Sequence, residues 1–281
     1  MNRDEWNQAL LGMEGAVVQL PGRRFGPFDL AVHAGERIAI LGPSGAGKST
    51  LLKLMAGEHA AHAGTVRLDG QPLATRRAAA LARRRAVLPQ SHGVAFGMPV
   101  DLVVALGRIA REPDPAQPAV VAQALAAAQA THLAGRRFDT LSGGEQARVQ
   151  LARVFAQLWD AHGALLLVDE PLSALDPGLQ WALMDALQRF TRERQHALVA
   201  VLHDINQALA GFDRLWLLHQ GQLQADLPPN AQAVPALERL YGISLRCVVD
   251  ANADPSGRLA VLPVRAPSPA TLATQPMSEA A

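Results

Sequence analysis

The sequence predicts an α/β fold built on a parallel β-sheet, and three features lead to this prediction. Residues 37–41, 164–168 and 197–202 are short, mostly apolar segments, which is typical of strands covered on both faces. Residues 48–56 have the apolar spacing of a helix and are followed by Gly57, a helix-ending residue. A glycine-rich loop at residues 42–47 separates the first strand from that helix. This order is typical of an anion-binding turn, because the first N–H groups of the helix face the ligand.

The glycine loop has the spacing of a nucleotide phosphate site. Residues 42–49 read GPSGAGKS and fit the pattern G-x-x-x-x-G-K-[ST]. The glycines let backbone N–H groups close on phosphate oxygens, Lys48 reaches the β/γ-phosphates, and the Ser49 hydroxyl is suited to Mg²⁺. The predicted nucleotide-binding positions are Gly42, Pro43, Ser44, Gly45, Ala46, Gly47, Lys48, Ser49 and Thr50.

Three polar residues follow the other two predicted strands. Asp169 and Glu170 come directly after residues 164–168, and His203 follows residues 197–202. Ligands bind at the carboxyl ends of parallel strands, so Asp169 is placed to hold Mg²⁺ and Glu170 to orient or deprotonate an attacking water. His203 is placed to reach a γ-phosphate. An acidic pair after a strand could equally be a solvated turn, and most lone histidines at such edges are core or capping residues.

A second helix N-terminus suited to phosphate is predicted at Ser142. Glu145 follows three residues later, which is the spacing of a capping box, so a helix should run over residues 142–159. Gly143 and Gly144 leave the first N–H groups of that helix unobstructed. One chain with one phosphate loop has no need of a second phosphate site, unless it serves another nucleotide. An ordinary helix cap explains Ser142 and Glu145 but not the glycine pair.

The amino-acid composition limits which classes of protein this chain can belong to. With 281 residues, 49% hydrophobic and 18% charged, the chain can bury one large core, with or without a small satellite domain. Its single cysteine, Cys247, excludes an internal disulfide and suits a reducing compartment. A net charge of +1 gives no general attraction to nucleic acid, and the arginines at 83–85 are interpreted as a solvated or interface face. No apolar run approaches the roughly 18 to 20 residues that span a bilayer, and the polar start is not a signal peptide.

The remaining elements are predicted in chain order. A strand-rich part extends to about residue 70, and a helical insertion covers about 91–140, with a proline-marked break at 111–115. The α/β core returns over about 141–221. A strand, a turn at Gln220 and Gly221, and a second strand cover 215–223, and a closing helix covers 233–241.

These motifs together resemble those of ABC-transporter ATPase subunits, over roughly residues 13–245. The matching segments are the Walker A motif (42–50), the Q-loop (Gln90), the signature (Leu141, Ser142, Gly143, Gly144 and Glu145), Walker B (165–170), the D-loop (173–176, ending in Asp176) and the switch histidine (His203). Residues 81–90, 95–100, 103–108, 142–159 and 201–206 are similar to the haem-import ATPases of Gram-negative bacteria, within the iron-chelate, haem and cobalamin importer group.

The resemblance implies an α/β P-loop NTPase core with an N-terminal antiparallel β subdomain and a helical subdomain inserted after the Q-loop. The ABC ATP-binding domain would cover residues 1–245, and a C-terminal extension 246–281, disordered from about 266. Glu170, His203 and Gln90 would be catalytic, and Ser49, Gln90 and Asp169 would hold Mg²⁺. In a head-to-tail homodimer, residues 141–145 would cover the γ-phosphate bound by the other subunit.

The resemblance also implies partners and a location. The chain would bind ATP and Mg²⁺, join two membrane-spanning permease subunits and a periplasmic haem-binding protein, and lie on the cytoplasmic face of the inner membrane, without nucleic acid. No residue here encodes haem, so a ferric-siderophore or cobalamin importer is the alternative in the same class. A soluble ABC-type ATPase acting on DNA or ribosomes is a further alternative, but this chain lacks the heptads and basic stripes of that role.

One expected feature is not evident. The aromatic residue that usually stacks on adenine before the first hairpin has no counterpart in residues 16–20, and Phe25 is the nearest substitute. We therefore expect weak selectivity for the base of the nucleotide.

Overall fold

The structure is a computed structural model that describes residues 8–89, 97–111, 113–170, 175–248 and 259–264. Its strands are β1 (Leu11–Leu20), β2 (Arg23–Val32), β3 (Arg37–Leu41), β4 (Ala63–Leu68), β5 (Gln71–Pro72), β6 (Arg85–Leu88), β7 (Leu165–Asp169), β8 (Ala197–Val201), β9 (Arg214–His219), β10 (Gln222–Leu227), β11 (Ser244–Val248) and β12 (Ala260–Val264). Its α-helices are α1 (Lys48–Ala56), α2 (Ala78–Ala82), α3 (Val100–Ala105), α4 (Gln117–Ala127), α5 (Gly143–Leu158), α6 (Pro177–Glu193), α7 (Ile205–Gly211) and α8 (Val234–Tyr241).

A six-stranded sheet in the order β10-β9-β3-β8-β7-β6 carries the predicted site. Strands β9, β3, β8, β7 and β6 are parallel, and only β10 pairs antiparallel with its neighbour. All residues of β7 and β8 are buried, which agrees with the uninterrupted apolar runs at residues 165–168 and 197–201. The predicted α/β class is confirmed.

The two faces of this sheet support two separate cores. Side chains alternate along a strand, so Ile38 and Ile40 of β3 face one core while Ala39 and Leu41 face the other. The first core contains α1 and an antiparallel sheet in the order β2-β1-β4-β5. The second core contains α4, α5 and α6. The N-terminal antiparallel sheet expected from the resemblance is therefore present.

The described part of residues 97–140 is helical. It contains α3, α4 and three 3₁₀ turns, at Leu106–Arg111, Thr131–Leu133 and Phe138–Thr140. Arg108 is buried and joins this region to α5: its Nε lies 2.6 Å from Asp114, and its Nη1 lies 2.5 Å from Asp160 and donates to the Ala156 carbonyl. The expected domain boundaries at 91, 140 and 245 stay a prediction.

The arginines at 83–85, interpreted as a solvated or interface face, make hydrogen bonds within the chain, although Arg83 is exposed. Arg84 is bidentate to Asp69 and also donates to the carbonyls of residues 162 and 163. The guanidinium of Arg83 donates twice to the Ala110 carbonyl, and Arg85 hydrogen-bonds the Ala56 carbonyl. These side chains therefore connect α1 and the 3₁₀ turn at Leu106–Arg111 to β6 and the residues before it. A guanidinium group has five N–H donors and can bind several oxygens at once.

The C-terminal part forms the predicted closing helix α8, followed by a hairpin that was not predicted. Strands β11 and β12 pair antiparallel, Ser244 opposite Val264 and Val248 opposite Ala260. The expected disordered tail from about 266 lies outside the described residues. Over the described part of the chain, every helix is too short or too polar to cross a bilayer.

Candidate nucleotide-binding site

The phosphate loop has the predicted strand, loop and helix geometry. It follows β3, and α1 runs from Lys48 to Ala56 and is capped by Gly57, which has a left-handed φ of 72°. Gly47 has φ 100°, and a Cβ built there would lie 2.7 Å from Cδ1 of Phe25. Both its conformation and the close approach of the Phe25 ring favour glycine at this position, because a side chain would be strained and would require the Phe25 ring to shift. The cleft is bordered by Ser44, Gly45, Ala46, Gly47, Lys48, Ser49 and Thr50, together with Glu170 and His203.

Lys48 is buried at the start of α1. Its Nζ donates to the carbonyl oxygen of Gly42 at 2.9 Å and to that of Pro43 at 3.3 Å. The same Nζ lies 3.8 Å from Oε1 of Glu170. The ammonium group is thus positioned by two carbonyls of the phosphate loop and by the Glu170 carboxylate, which follows β7. In this position it faces the part of the loop that is expected to bind phosphates.

Ser49 and Asp169 form an oxygen pair between α1 and β7. The Ser49 hydroxyl donates to Oδ1 of Asp169 at 3.0 Å. Burial raises the pKa of Asp169, and the charge of neighbouring Glu170 acts in the same direction, while the Ser49 hydrogen bond opposes them. A hydroxyl and a carboxylate oxygen are hard ligands of the kind Mg²⁺ takes, together with substrate phosphates, so the residues present fit this ion.

Glu170 lies between a lysine and a histidine. Its Oε2 is 2.6 Å from Nε2 of His203, which follows β8, and its Oε1 faces Lys48. Glu170 has φ 45°, a left-handed conformation that is uncommon for a residue with a side chain. Its own side chain is mostly buried, whereas that of His203 is 51% exposed and accessible to a ligand. Strands β7 and β8 are parallel neighbours, so Glu170 and His203, which follow them, lie at the same edge of the sheet.

The start of α5 has the predicted capping box. The Glu145 N–H donates to Oγ of Ser142, and the Ser142 N–H donates to Oε2 of Glu145 at 2.8 Å. These contacts and Arg136 hold the pKa of Glu145 below its usual value. Gly144 has a packing reason that the sequence did not reveal, since a Cβ there would lie 2.4 Å from Cδ2 of Leu179 on α6. Gly143 faces open space.

The other predicted residues have different positions. Asp176 caps α6, accepting the Leu179 N–H at 2.9 Å. Leu141 is buried and precedes α5. Gln90 and residues 171–174 lie outside the described residues, so the Q-loop stays a prediction.

Phe25 does not occupy the position expected of a base-stacking ring. It is only 5% exposed, and its ring lies against the phosphate loop at Gly47 and against Gly221. The ring therefore supports the loop. Sequence reasoning missed Arg23, an exposed residue beside Phe25 that borders the same cleft. Nothing in its local pattern distinguishes it from a solvated strand-end arginine.

The fold and the site define an α/β nucleotide-binding domain with a phosphate loop. A family model described as ABC transporter matches residues 25–173, more than half of the chain. The chain therefore belongs to the ABC transporter family, as an ATP-binding and ATP-hydrolysing subunit.

Within the ABC transporter family, the chain is similar to proteins named for hemin import. The chain is 46% identical over 250 residues to the hemin import ATP-binding protein HmuV of Nocardia farcinica, covering 87% of this chain and 84% of that protein. It is 48% identical over 199 residues to the hemin import ATP-binding protein HmuV of Pseudomonas aeruginosa, covering 69% and 76%. Among solved structures, cbiO1 of Clostridium perfringens, part of the ABC transporter complex cbiONQ, has a TM-score of 0.71 at 22% identity and covers 83% of this chain and 95% of its own. That last likeness shows the fold alone.

Proposed function

We propose that this chain hydrolyses ATP to drive haem import and that Glu170 is the general base. The assignment of the general base rests on the position of the Glu170 carboxylate. It lies 3.8 Å from Nζ of Lys48 and 2.6 Å from Nε2 of His203. A base must lie within hydrogen-bond reach of the proton it takes, and Glu170 borders the same cleft as Lys48 and Ser49. The similarity to two hemin import ATP-binding proteins supports the transported ligand.

The residues of the cleft divide the work of phosphoryl transfer. Backbone N–H groups of residues 42–49 and the Lys48 ammonium bind the phosphate oxygens. Ser49, Asp169 and Gln90 would hold Mg²⁺, which supplies positive charge to the β- and γ-phosphates. Glu170 accepts the proton of the attacking water, and His203 donates a hydrogen bond to the γ-phosphate.

Residues of the signature complete the site of a second copy. Ser142 and Gly143 are exposed at the N-terminus of α5, and the Gly143 position has open space around it. The first N–H groups of this helix and its positive dipole end suit a phosphate. An isologous homodimer would bring Ser142, Gly143 and Gly144 of one subunit over the nucleotide of the other, forming two sites at once.

The remaining partners follow from the transport role. The chain would join two permease subunits at the cytoplasmic face of the inner membrane, and a periplasmic haem-binding protein would deliver the ligand. The alternatives, a ferric siderophore or cobalamin, differ only in which permease and feeder are present.

Co-purification tests this assignment. A tagged chain expressed in its native cell should extract a multi-span permease from detergent-solubilised membranes, and the ATPase rate of that complex should rise when the feeder protein carries haem. A feeder that carries cobalamin or a ferric siderophore, with no response to haem, would overturn haem as the ligand and leave the ATPase role intact.

A further inference from the structure

The C-terminal helix contacts the first residue of the phosphate loop. Tyr241, the last residue of α8 and the only tyrosine of the chain, is partly buried. Its hydroxyl oxygen accepts the backbone N–H of Gly42 at 3.0 Å. The two residues are 199 positions apart in sequence. Tyr241 therefore joins the C-terminal part of the chain to the start of the loop.

Gly42 is held on its other sides as well. A Cβ built at Gly42 would lie 2.2 Å from the carbonyl oxygen of Leu218, so its backbone packs directly on β9. Its own carbonyl oxygen accepts a hydrogen bond from Nζ of Lys48 at 2.9 Å. One loop residue thus connects the Tyr241 hydroxyl to the lysine of the cleft.

The Tyr241 hydroxyl acts here as a hydrogen-bond acceptor for Gly42. Burial raises its pKa, while the Gly42 N–H opposes that shift, so the group accepts this hydrogen bond as a neutral phenol. Phenylalanine would keep the ring and remove the acceptor. The partly buried N–H of Gly42 would then lose its hydrogen bond, which leaves a polar group unsatisfied.

The position of Tyr241 is fixed by the segment that follows it. After the left-handed Gly242, the Leu245 N–H donates to Oε1 of Glu238 on α8 at 2.7 Å. The hairpin is then attached to α7, because the Asn206 amide donates to the Val261 carbonyl at 3.0 Å and accepts the Val261 N–H at 2.8 Å. Asn206 lies three residues after His203 in sequence. The C-terminal part is therefore attached near two sides of the cleft.

We propose that Tyr241 is a positioning residue for nucleotide binding: its hydroxyl fixes the first amide of the phosphate loop and, through Gly42, the carbonyl that holds Lys48. The inference rests on the proposed role of this loop and of Lys48 in binding phosphates. It gives the C-terminal helix a part in the nucleotide site.

The full-length Tyr241→Phe variant tests this inference. Its dissociation constant for ADP, measured by calorimetry, should rise about fivefold, the equivalent of roughly 1 kcal/mol for one lost hydrogen bond. The KM for ATP should rise similarly while kcat stays within about twofold, because the reacting groups are unchanged. Hydrogen exchange of the segment around Gly42 should become faster.

Thr191→Val is the matched control, since the Thr191 hydroxyl is also buried but its hydrogen bonds stay within α6. It should leave ADP affinity unchanged. Unaltered ADP affinity and exchange in Tyr241→Phe would overturn the inference, as would equal weakening in both variants. A wild-type chain that binds neither ADP nor ATP would instead overturn the proposed function, and this inference with it.

Discussion

At the scale of single residues, the site is centred on the Glu170 carboxylate, which lies close to the Lys48 ammonium and to the His203 imidazole. Glu170 follows the buried strand β7, and its backbone has a left-handed φ of 45°. Such a conformation is unfavourable for a residue with a side chain and persists only where surrounding structure fixes it. The carboxylate is thereby directed between Lys48 and His203.

Replacing Glu170 by glutamine should abolish most turnover while keeping nucleotide affinity. Glutamine has the same shape but does not accept a proton from water, and general-base catalysis is worth about 10²- to 10⁴-fold. We expect kcat to fall at least about 100-fold and the dissociation constant for ATP to change by less than about threefold. Glu193→Gln, at an exposed position near the end of α6, is the control. A Glu170→Gln enzyme with full kcat would contradict the assignment of the base.

Base selectivity should be shallow. The Phe25 ring is buried under the phosphate loop, and the exposed residue beside it that borders the cleft is Arg23. A guanidinium plane can stack on any base, and the phosphate loop binds every nucleoside triphosphate alike. ATP and GTP should therefore differ by less than about tenfold in kcat/KM, or about 1.4 kcal/mol, in steady-state assays. A preference for ATP of 100-fold or more would show that polar groups read the edge of the base.

At the scale of elements, a buried histidine makes the sheet sensitive to acid. His196 precedes β8, is 1% exposed, and its Nδ1 accepts the Ala164 N–H at 3.0 Å. Burial lowers the pKa of His196 from 6.5 to about 4, and the positive charge of Arg194 adds to the effect. The unfolded chain therefore binds a proton in a pH range where the folded chain does not.

Stability should consequently fall as pH decreases through this range. Between pH 6.5 and about 4, His196 should reduce the free energy of unfolding by about 1.4 kcal/mol per pH unit, so that roughly 2 kcal/mol is lost between pH 7 and pH 5. In His196→Asn, which keeps an acceptor but does not titrate, that part of the loss should disappear from urea titrations. Identical pH profiles for wild type and His196→Asn would contradict this account.

The elements that the sequence predicts well are those with local signals. Helix α1 has the predicted bounds because its start follows a glycine loop and its end is a left-handed glycine. Helix α5 begins where the capping box of Ser142 and Glu145 places it. Strands β7 and β8 follow from uninterrupted apolar runs.

The features that the sequence did not predict depend on contacts between distant residues. Gly42 and Tyr241 are 199 residues apart, and Arg108 and Asp160 are 52 apart, so no local spacing relates them. The burial of Phe25 also could not be predicted from the sequence, because it depends on how β2 packs against the loop at Gly47. Long-range packing decides all three contacts.

At the scale of the whole molecule, we expect a nucleotide-dependent dimer that acts on a permease. The exposed start of α5 and the cleft of the phosphate loop both present helix N–H groups, and a two-fold assembly would use both for the same nucleotide. ATP bound between two subunits would join them until it is hydrolysed. Hydrolysis would then separate the subunits and reset the permease.

Uptake by the reconstituted complex tests the central claim most directly. Proteoliposomes that contain the wild-type chain, its permease and the feeder protein should accumulate haem when ATP is supplied on the side of the ATPase. The matched complex with Glu170→Gln should bind ATP and accumulate no haem. Cobalamin and ferric siderophores should enter with neither complex. Haem uptake that continues with Glu170→Gln, or uptake of cobalamin in place of haem by the wild-type complex, would contradict the account.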